Sequence, residues 1–328
     1  MTTRRWFSAA AVVLAAAIFA TAASAQQVVV IGTNPQGTIF YSVGAAIARV
    51  FQDRSGRQTR VQPSAGTSVY VQQLSRGEIE FGFASVQDSE FAYRGVENFQ
   101  GRPSPELRLV AAVFPLSLGL AVPNNSPAKS VADLKGFRMP SEFPAQSVVR
   151  INQSAMLATA GLSMRDMRPV PVTNYIKGIE ALSEGKVDAA LVGPGAGASR
   201  EANVKLGDRG GLRFLSLDSS PKALSALRKI IPRAYYDHIK PSPAFPGVLE
   251  PTTVMSLTTY FVASARTPDD LVYQMTRILH ESKGALAKAV PVMARFDPNF
   301  MAEEHLVPYH PGAEKYYREI GQLPPKAR

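Results

Sequence analysis

Short apolar runs alternate with segments of helical spacing from Val28 almost to the end of the chain, and this alternation restricts the fold more than any other feature. Residues 28–31 form a continuous apolar run, followed by a turn-rich loop over residues 32–37. Val43, Ile47, Val50 and Phe51 then recur at helical spacing, with the helix expected to start near Tyr41. Residues 59–62 read as a short strand, and the small-residue turn 64–68 leads into a helix ending near Arg76. Ile79, Phe81 and Phe83 alternate as in a half-buried strand, and residues 107–114 read as a buried one. Such a βαβαβ unit predicts a largely parallel sheet covered on both faces.

A second unit follows. Residues 137–139 read as a strand, and a helix over about 146–160 is closed by Gly161. Residues 168–172, 187–192 and 212–217 read as strands, with helices over about 175–184 and 198–206 between them. The proline-rich stretch 241–251 excludes regular structure and reads as a loop leading back toward a hinge. Thr267-Pro268-Asp269-Asp270 is a strong helix start, and Val272, Met275, Ile278 and Leu279 give that helix a buried face. The expectation is an α/β protein of two lobes: residues 26–118 plus 256–328, and residues 119–255. Two strands near 110–122 and 254–262 should cross between them. Open parallel sheets bind ligands at the carboxyl ends of their strands, and two facing lobes make a cleft that hinge motion can close. One continuous sheet would speak against this division.

Composition narrows the function. The chain has 328 residues and no cysteine, which removes thiol catalysis, disulfides and thiolate metal sites. Its four histidines (238, 280, 305 and 310) are scattered, and there is no Gly-x-Ser-x-Gly elbow. His305 and His310 lack both helical i, i+4 spacing and a third ligand, and His310 reads as packed inside its own turn. Neither a metal nor a cofactor is expected. The formal charge is +10, yet the basic residues are dispersed instead of clustered with aromatics, so no nucleic-acid partner is expected. Arg4 and Arg5, an apolar stretch over 7–20 and Ala23-Ser24-Ala25 read as a signal peptide over residues 1–25, cleaved after Ala25. Export through the Sec or the twin-arginine route then places the mature chain in the periplasm.

The loops carry a more specific signal. Residues 32–44 (GTNPQGTIFYSVG) resemble the opening motif of TAXI-type receptors, the solute-binding subunits of a class of TRAP transporters. Residues 64–67, 77–84 (GEIEFGFA), 133–136 (DLKG) and 308–321 resemble further blocks of that family, in the family's order. The resemblance implies a two-lobed, type II-like periplasmic binding protein with two hinge-crossing strands, working as a monomer. It further implies an ion-driven TRAP permease in the inner membrane as partner; the ligand does not carry over, and a small organic acid is expected from the loops themselves. Departures mark a divergent branch: Gly37-Thr38 replaces two adjacent glycines, Thr67 a serine and Tyr70 an asparagine, and Ser85 lies near where a glutamine is frequent. In the second unit Phe143-Pro144-Ala145-Gln146-Ser147 stands where a Gly-Ser-Gly loop is familiar.

The candidate ligand-binding residues are Thr33, Asn34, Gln36, Gly37, Thr38 and Tyr41 in the first loop, and Gly66, Thr67 and Ser68 in the second. Gln87 stands after the third strand, and Gln146, Ser147, Asn174 and Gly195 come from the second unit. Free N–H groups at a helix start attract a carboxylate without needing arginine, although Gly, Ser and Thr at such turns also serve simply as caps. Neither first-unit loop contains Arg or Lys, so the grip is expected to rest on neutral donors. Asn174 is read either as a contact from the second lobe or as a turn residue. The glycines at 193, 195 and 197 lack the spacing and acidic partner of a dinucleotide fingerprint. Two alternatives stay open: a periplasmic enzyme acting on a small acid in the same cleft, and a ligand-sensing subunit of a membrane signalling system.

Overall fold

The computed structural model describes residues 28–323, so the leader expected over residues 1–25 lies outside the described residues. Three strands, β1 (Val29–Thr33), β2 (Thr59–Pro63) and β3 (Phe81–Ser85), lie in the order β2-β1-β3 and run parallel. Each delivers the chain into a helix at its carboxyl end: α1 (Ile39–Ser55), α2 (Thr67–Arg76) and α3 (Val86–Arg94) respectively. Thr38 caps α1 by accepting from the Tyr41 amide, and Gly56 closes it at a φ of 72°, where a Cβ would be strained. The helix therefore begins two residues before the position expected from its apolar spacing. β3 also runs later than expected, because Ser85 ends the strand and caps α3 with one side chain.

Next to β3 come two long strands, β4 (Leu107–Pro123) and β10 (Thr252–Ser264), which pair antiparallel with each other. At about 3.3 Å per residue the 17 residues of β4 extend far enough to serve both halves of the molecule. Its first part pairs with β10, and its last residues pair with β7 (Ala190–Val192) and β8 (Leu212–Leu215). β10 likewise begins against β9 (Tyr235–Ile239) and ends against β3. The register between the two strands shifts at Thr259/Tyr260 and at Phe261/Val262, which breaks the regular ladder there. These are the two expected crossing strands. They make the sheet mixed instead of parallel, and they make its hydrogen bonding continuous, because each strand returns through both units. These eight strands form one continuous sheet, the arrangement set above against the division at residues 118/119 and 255/256; the sheet is curled and mixed, and its two ends carry the two units.

The second unit adds β5 (Arg138–Glu142) and β6 (Arg168–Val172), a separate parallel pair. Its helices are α4 (Val148–Ala158), α5 (Tyr175–Ser183), α6 (Gly197–Lys205) and α7 (Pro221–Ile230). The chain ends with α8 (Asp269–Glu281), α9 (Lys283–Ala289) and α10 (Pro311–Glu319), which pack on the first unit. Asp269 and Asp270 occupy the first turn of α8, where the helix dipole favours negative charge. His310 is buried and caps α10, its Nδ1 accepting from the Gly312 amide, which accounts for its place in the Tyr-His-Pro turn.

Two apolar clusters hold this frame. The larger includes the ring group Phe40, Phe81, Phe83, Phe114 and Phe261, with Phe81 stacked on Phe261 at 5.1 Å. The smaller is built only from second-unit residues, among them Ile179, Leu182, Val192, Phe214 and Val254. No helix among the described residues is long and apolar enough to cross a membrane.

Candidate functional site

Because β2, β1 and β3 are parallel neighbours, the starts of α2, α1 and α3 stand side by side at one edge of the sheet. Facing them are the starts of α4 and α5 and the turn after β7. Between these two sets lies a cavity of ≈ 100 Å³, a size for a small molecule and not for a polymer. The first unit contributes Asn34, Thr38, Ile39 and Phe40, then Thr67 and Ser68, then Ser85, Asp88 and Asn98. Leu116, Ser117 and Leu118 of β4 form the back, and Gln146, Val149, Asn152, Tyr175 and Gly193 come from the second unit.

The helix starts differ in how they are capped. The Thr38 hydroxyl donates to the Pro35 carbonyl (2.7 Å) and accepts from the Tyr41 amide. α2 has no such cap: Gly66 precedes it and no side chain satisfies its first amides. Thr67 and Ser68 therefore bring unsatisfied helix N–H groups to the cavity wall. The Thr67 hydroxyl lies 3.4 Å from Asn34 Oδ1 and from the Tyr70 hydroxyl, which itself donates to the Phe83 carbonyl at 2.6 Å. Tyr70 is fully buried, and burial holds its phenol protonated.

At α3 the wall carries a charge. Asp88 is only 4% exposed; its carboxyl accepts from Asn98 Nδ2 (3.0 Å) and from the Ser85 hydroxyl (3.1 Å). Burial pushes its pKa up to about 6, against the pull of those two donors.

The two units touch directly beside the cavity. The Ala198 amide, in the first turn of α6, donates to the Gly37 carbonyl at 3.0 Å, so the first unit caps a helix of the second. A Cβ on Gly66 would stand 2.5 Å from the Ala145 carbonyl oxygen and 2.7 Å from Gln146 Cγ. Gln146 Oε1 accepts from the Tyr175 amide, and the Tyr175 hydroxyl accepts from the Gly193 amide at 2.7 Å. Burial pushes the Tyr175 phenol up to about 12.

Of the residues singled out from sequence, Asn34, Thr38, Thr67, Ser68 and Gln146 line the cavity together. Gly37 and Gly66 form the seam. Gly195 lies one position away from the lining, against the Phe245 ring, with a φ of +78° that favours glycine. The remaining six stand outside the lining. Thr33 is buried at the end of β1, Gln36 is exposed, and Tyr41 is half-buried along α1. Gln87 is buried with its carboxamide unpartnered. Ser147 is half-buried before α4 and makes no capping hydrogen bond. Asn174 caps α5, its Oδ1 accepting from the Lys177 amide, which is the turn role and not a contact across the cleft.

Sequence reading missed Asp88, Asn98, Asn152, Tyr175 and Arg295. Arg295, from the 3₁₀ turn Pro291–Arg295, reaches the same wall and pairs bidentately with Asp237 of β9. The Ser117 hydroxyl also donates to Asp237, at 2.7 Å, so the cluster ties the C-terminal segment to both crossing strands. Burial pushes the Asp237 carboxyl up, but Arg295 and Ser117 outweigh it and hold the carboxyl below its ordinary range. The depressed carboxyl contributes stability above the unfolded pKa, and that contribution is lost as pH falls through the folded one. Arg295→Met should keep the packing of the stem and cost about 1 kcal/mol near neutral pH, a value discounted for the half-exposed guanidinium. In a double-mutant cycle with Asp237→Asn, read by denaturant unfolding, most of that cost should appear as coupling. Additive losses would show that the pair contributes nothing.

Among the described residues no group of His, Asp and Glu is arranged to hold a metal ion. The fold has solved counterparts. A structure of a periplasmic transporter is similar over 92% of this chain and 94% of its own, with a TM-score of 0.59 and 14% identity. The alkanesulfonate-binding protein SsuA from Xanthomonas axonopodis pv. citri, bound to MOPS, is similar over 89% of this chain and 83% of its own, with a TM-score of 0.51 and 20% identity. At such identities the likeness establishes the fold: that of the periplasmic binding proteins. The sequence match runs from the middle of β1 to just past α10, over residues 31–321. Strand ends, cavity wall, crossing strands and C-terminal helices all fall inside it, and the chain belongs to the NMT1-like family.

Proposed function

We propose that this chain is a periplasmic solute receptor that captures a small organic carboxylate between its lobes and passes it to an ion-driven TRAP permease of the inner membrane. The observation that carries the reading is the uncapped start of α2, which opens onto a cavity shared by both units. A helix end with free amides favours an anion, and here the first-turn groups of α1 and α2 stand together. Thr67, Ser68 and the amides near Ile39 and Phe40 grip the acid from one side, and Gln146 and the Gly193 turn close on it from the other. Asn174 supports this grip by fixing the start of α5. The lobes divide at residues 118/119 and 255/256, so the crossing strands act as the hinge.

The ordered motif blocks support a TRAP permease as partner, and the binding and transport roles named for the two similar structures, one each, support a receptor over an enzyme. Delivery from outside the inner membrane fits the leader read over residues 1–25. The receptor works as a monomer without a cofactor.

A thermal-shift screen of organic acids on the mature chain tests the reading. A true ligand at about 100 times its dissociation constant stabilises the folded state by about 2.7 kcal/mol. Thr67→Ala removes one hydroxyl from the grip and should weaken binding roughly 5- to 30-fold by calorimetry. Turnover of the acid to a product, or binding untouched by Thr67→Ala, would defeat the reading.

A further inference from the structure

One part of the cavity wall is made of hydrogen-bond acceptors. Asp88 brings a carboxyl whose two bonds, from Ser85 and Asn98, leave acceptor capacity on both oxygens. Asn98 uses its amide nitrogen on Asp88, which fixes the orientation of the carboxamide and leaves its buried Oδ1 without a donor from the protein. Asn152, on α4 of the other unit, is 5% exposed, lines the same cavity, and its Oδ1 also has no donor. Much of the remaining wall is apolar, with Ile39, Phe40, Leu116, Leu118, Val149 and Leu191. A buried acceptor left without a donor is costly, and a site built around such groups rejects molecules that cannot satisfy them.

We propose that the captured anion also carries a hydrogen-bond donor, a hydroxyl, amide N–H or ammonium group, set apart from its acidic group by an apolar body, and that Asp88, Asn98 and Asn152 read that donor from both lobes. This inference rests on the carboxylate reading given above and names the class of acid. At neutral pH Asp88 is mainly a carboxylate held in a buried place, so a donor relieves it and an ammonium neutralises it. A second carboxylate arriving there meets like charge, so dicarboxylates are excluded.

The test is a titration series on the mature chain with unbranched acids roughly four to eight carbons long, each with a methyl, hydroxyl, amino or carboxyl group at the far end. At the best-fitting length, the hydroxy and amino acids should bind at least about 10-fold more tightly than the methyl acid, and the dicarboxylate should bind more weakly than either. Asn152→Leu should erase the preference for hydroxyl over methyl, and Asp88→Asn should erase the extra gain from the amino group. A methyl acid or dicarboxylate that binds best at every length overturns the donor reading while the carboxylate receptor stands. If none of the acids binds, the carboxylate reading falls, and this inference with it.

Discussion

Gly66→Val should leave the unliganded protein folded and reduce ligand affinity roughly 100- to 1000-fold. Gly66 has a φ of 179°, an extended backbone that any residue adopts, so the substitution carries no local strain. What forbids a side chain is the other lobe. A Cβ there would stand 2.5 Å from the Ala145 carbonyl oxygen, which is backbone and cannot rotate away. The two units must then separate, and every second-unit contact to the ligand loosens at once. Chemical unfolding without ligand should change by no more than about 0.5 kcal/mol, and scattering should show no compaction when ligand is added. Gly197→Ala is the milder comparison, since its Cβ would meet Gly37 Cα at 3.4 Å, close to ordinary contact. Parent-like affinity in Gly66→Val would show that the seam does not close on the ligand.

The same seam shows how far the sequence could be read. Gly66-Thr67-Ser68 and Gly37-Thr38 were visible as strand-end loops, because small and hydroxylated residues between an apolar run and an amphipathic segment have few other uses. The crossing strands near 110–122 and 254–262 were legible through the two-lobed architecture, since Ser256, Thr258 and Thr259 interrupt the apolar pattern of the second. β9 was not, since Tyr235-Tyr236-Asp237-His238-Ile239 mixes aromatic and charged residues and pairs with β10 alone. α7 did carry a signal, Ser220 before Pro221, but it buries only Ala223 and Leu227, too short a stripe to register as a period. Asp88 looks like any acid in a first helical turn. Asn152 left a trace, a carboxamide on the buried stripe with Val149 and Met156, which an apolar-periodicity reading passes over. Arg295 comes from an irregular stretch, and only tertiary packing brings it to β9 and the cavity. Helix starts announce themselves locally; groups that complete a site across the fold do not.

Asp88 gives the second large expected effect. Its carboxyl has a pKa of about 6 in the folded chain, against about 4 for an unfolded aspartate. Between those values the folded state holds a proton that the unfolded state has released. The stability contributed by Asp88 is therefore full below about pH 4 and lost as pH rises through about 6, the opposite direction to Asp237. Two pKa units correspond to about 3 kcal/mol at neutral pH. Asp88→Asn keeps the shape and an acceptor for Ser85 and removes the buried charge. The variant should be more stable than the parent by up to about 3 kcal/mol at pH 7.5, with the difference shrinking toward zero near pH 4. Denaturant midpoints of both proteins across that range supply the measurement, and parallel pH curves would show that Asp88 is not the buried acid described here. A stabilising loss of charge at the cavity wall has a functional counterpart. A carboxylate retained at a cost in folding stability is explained if it meets its compensating donor only when a ligand is bound. Ligand should accordingly stabilise the parent more than the variant, so that the gap between their unfolding midpoints narrows at saturation.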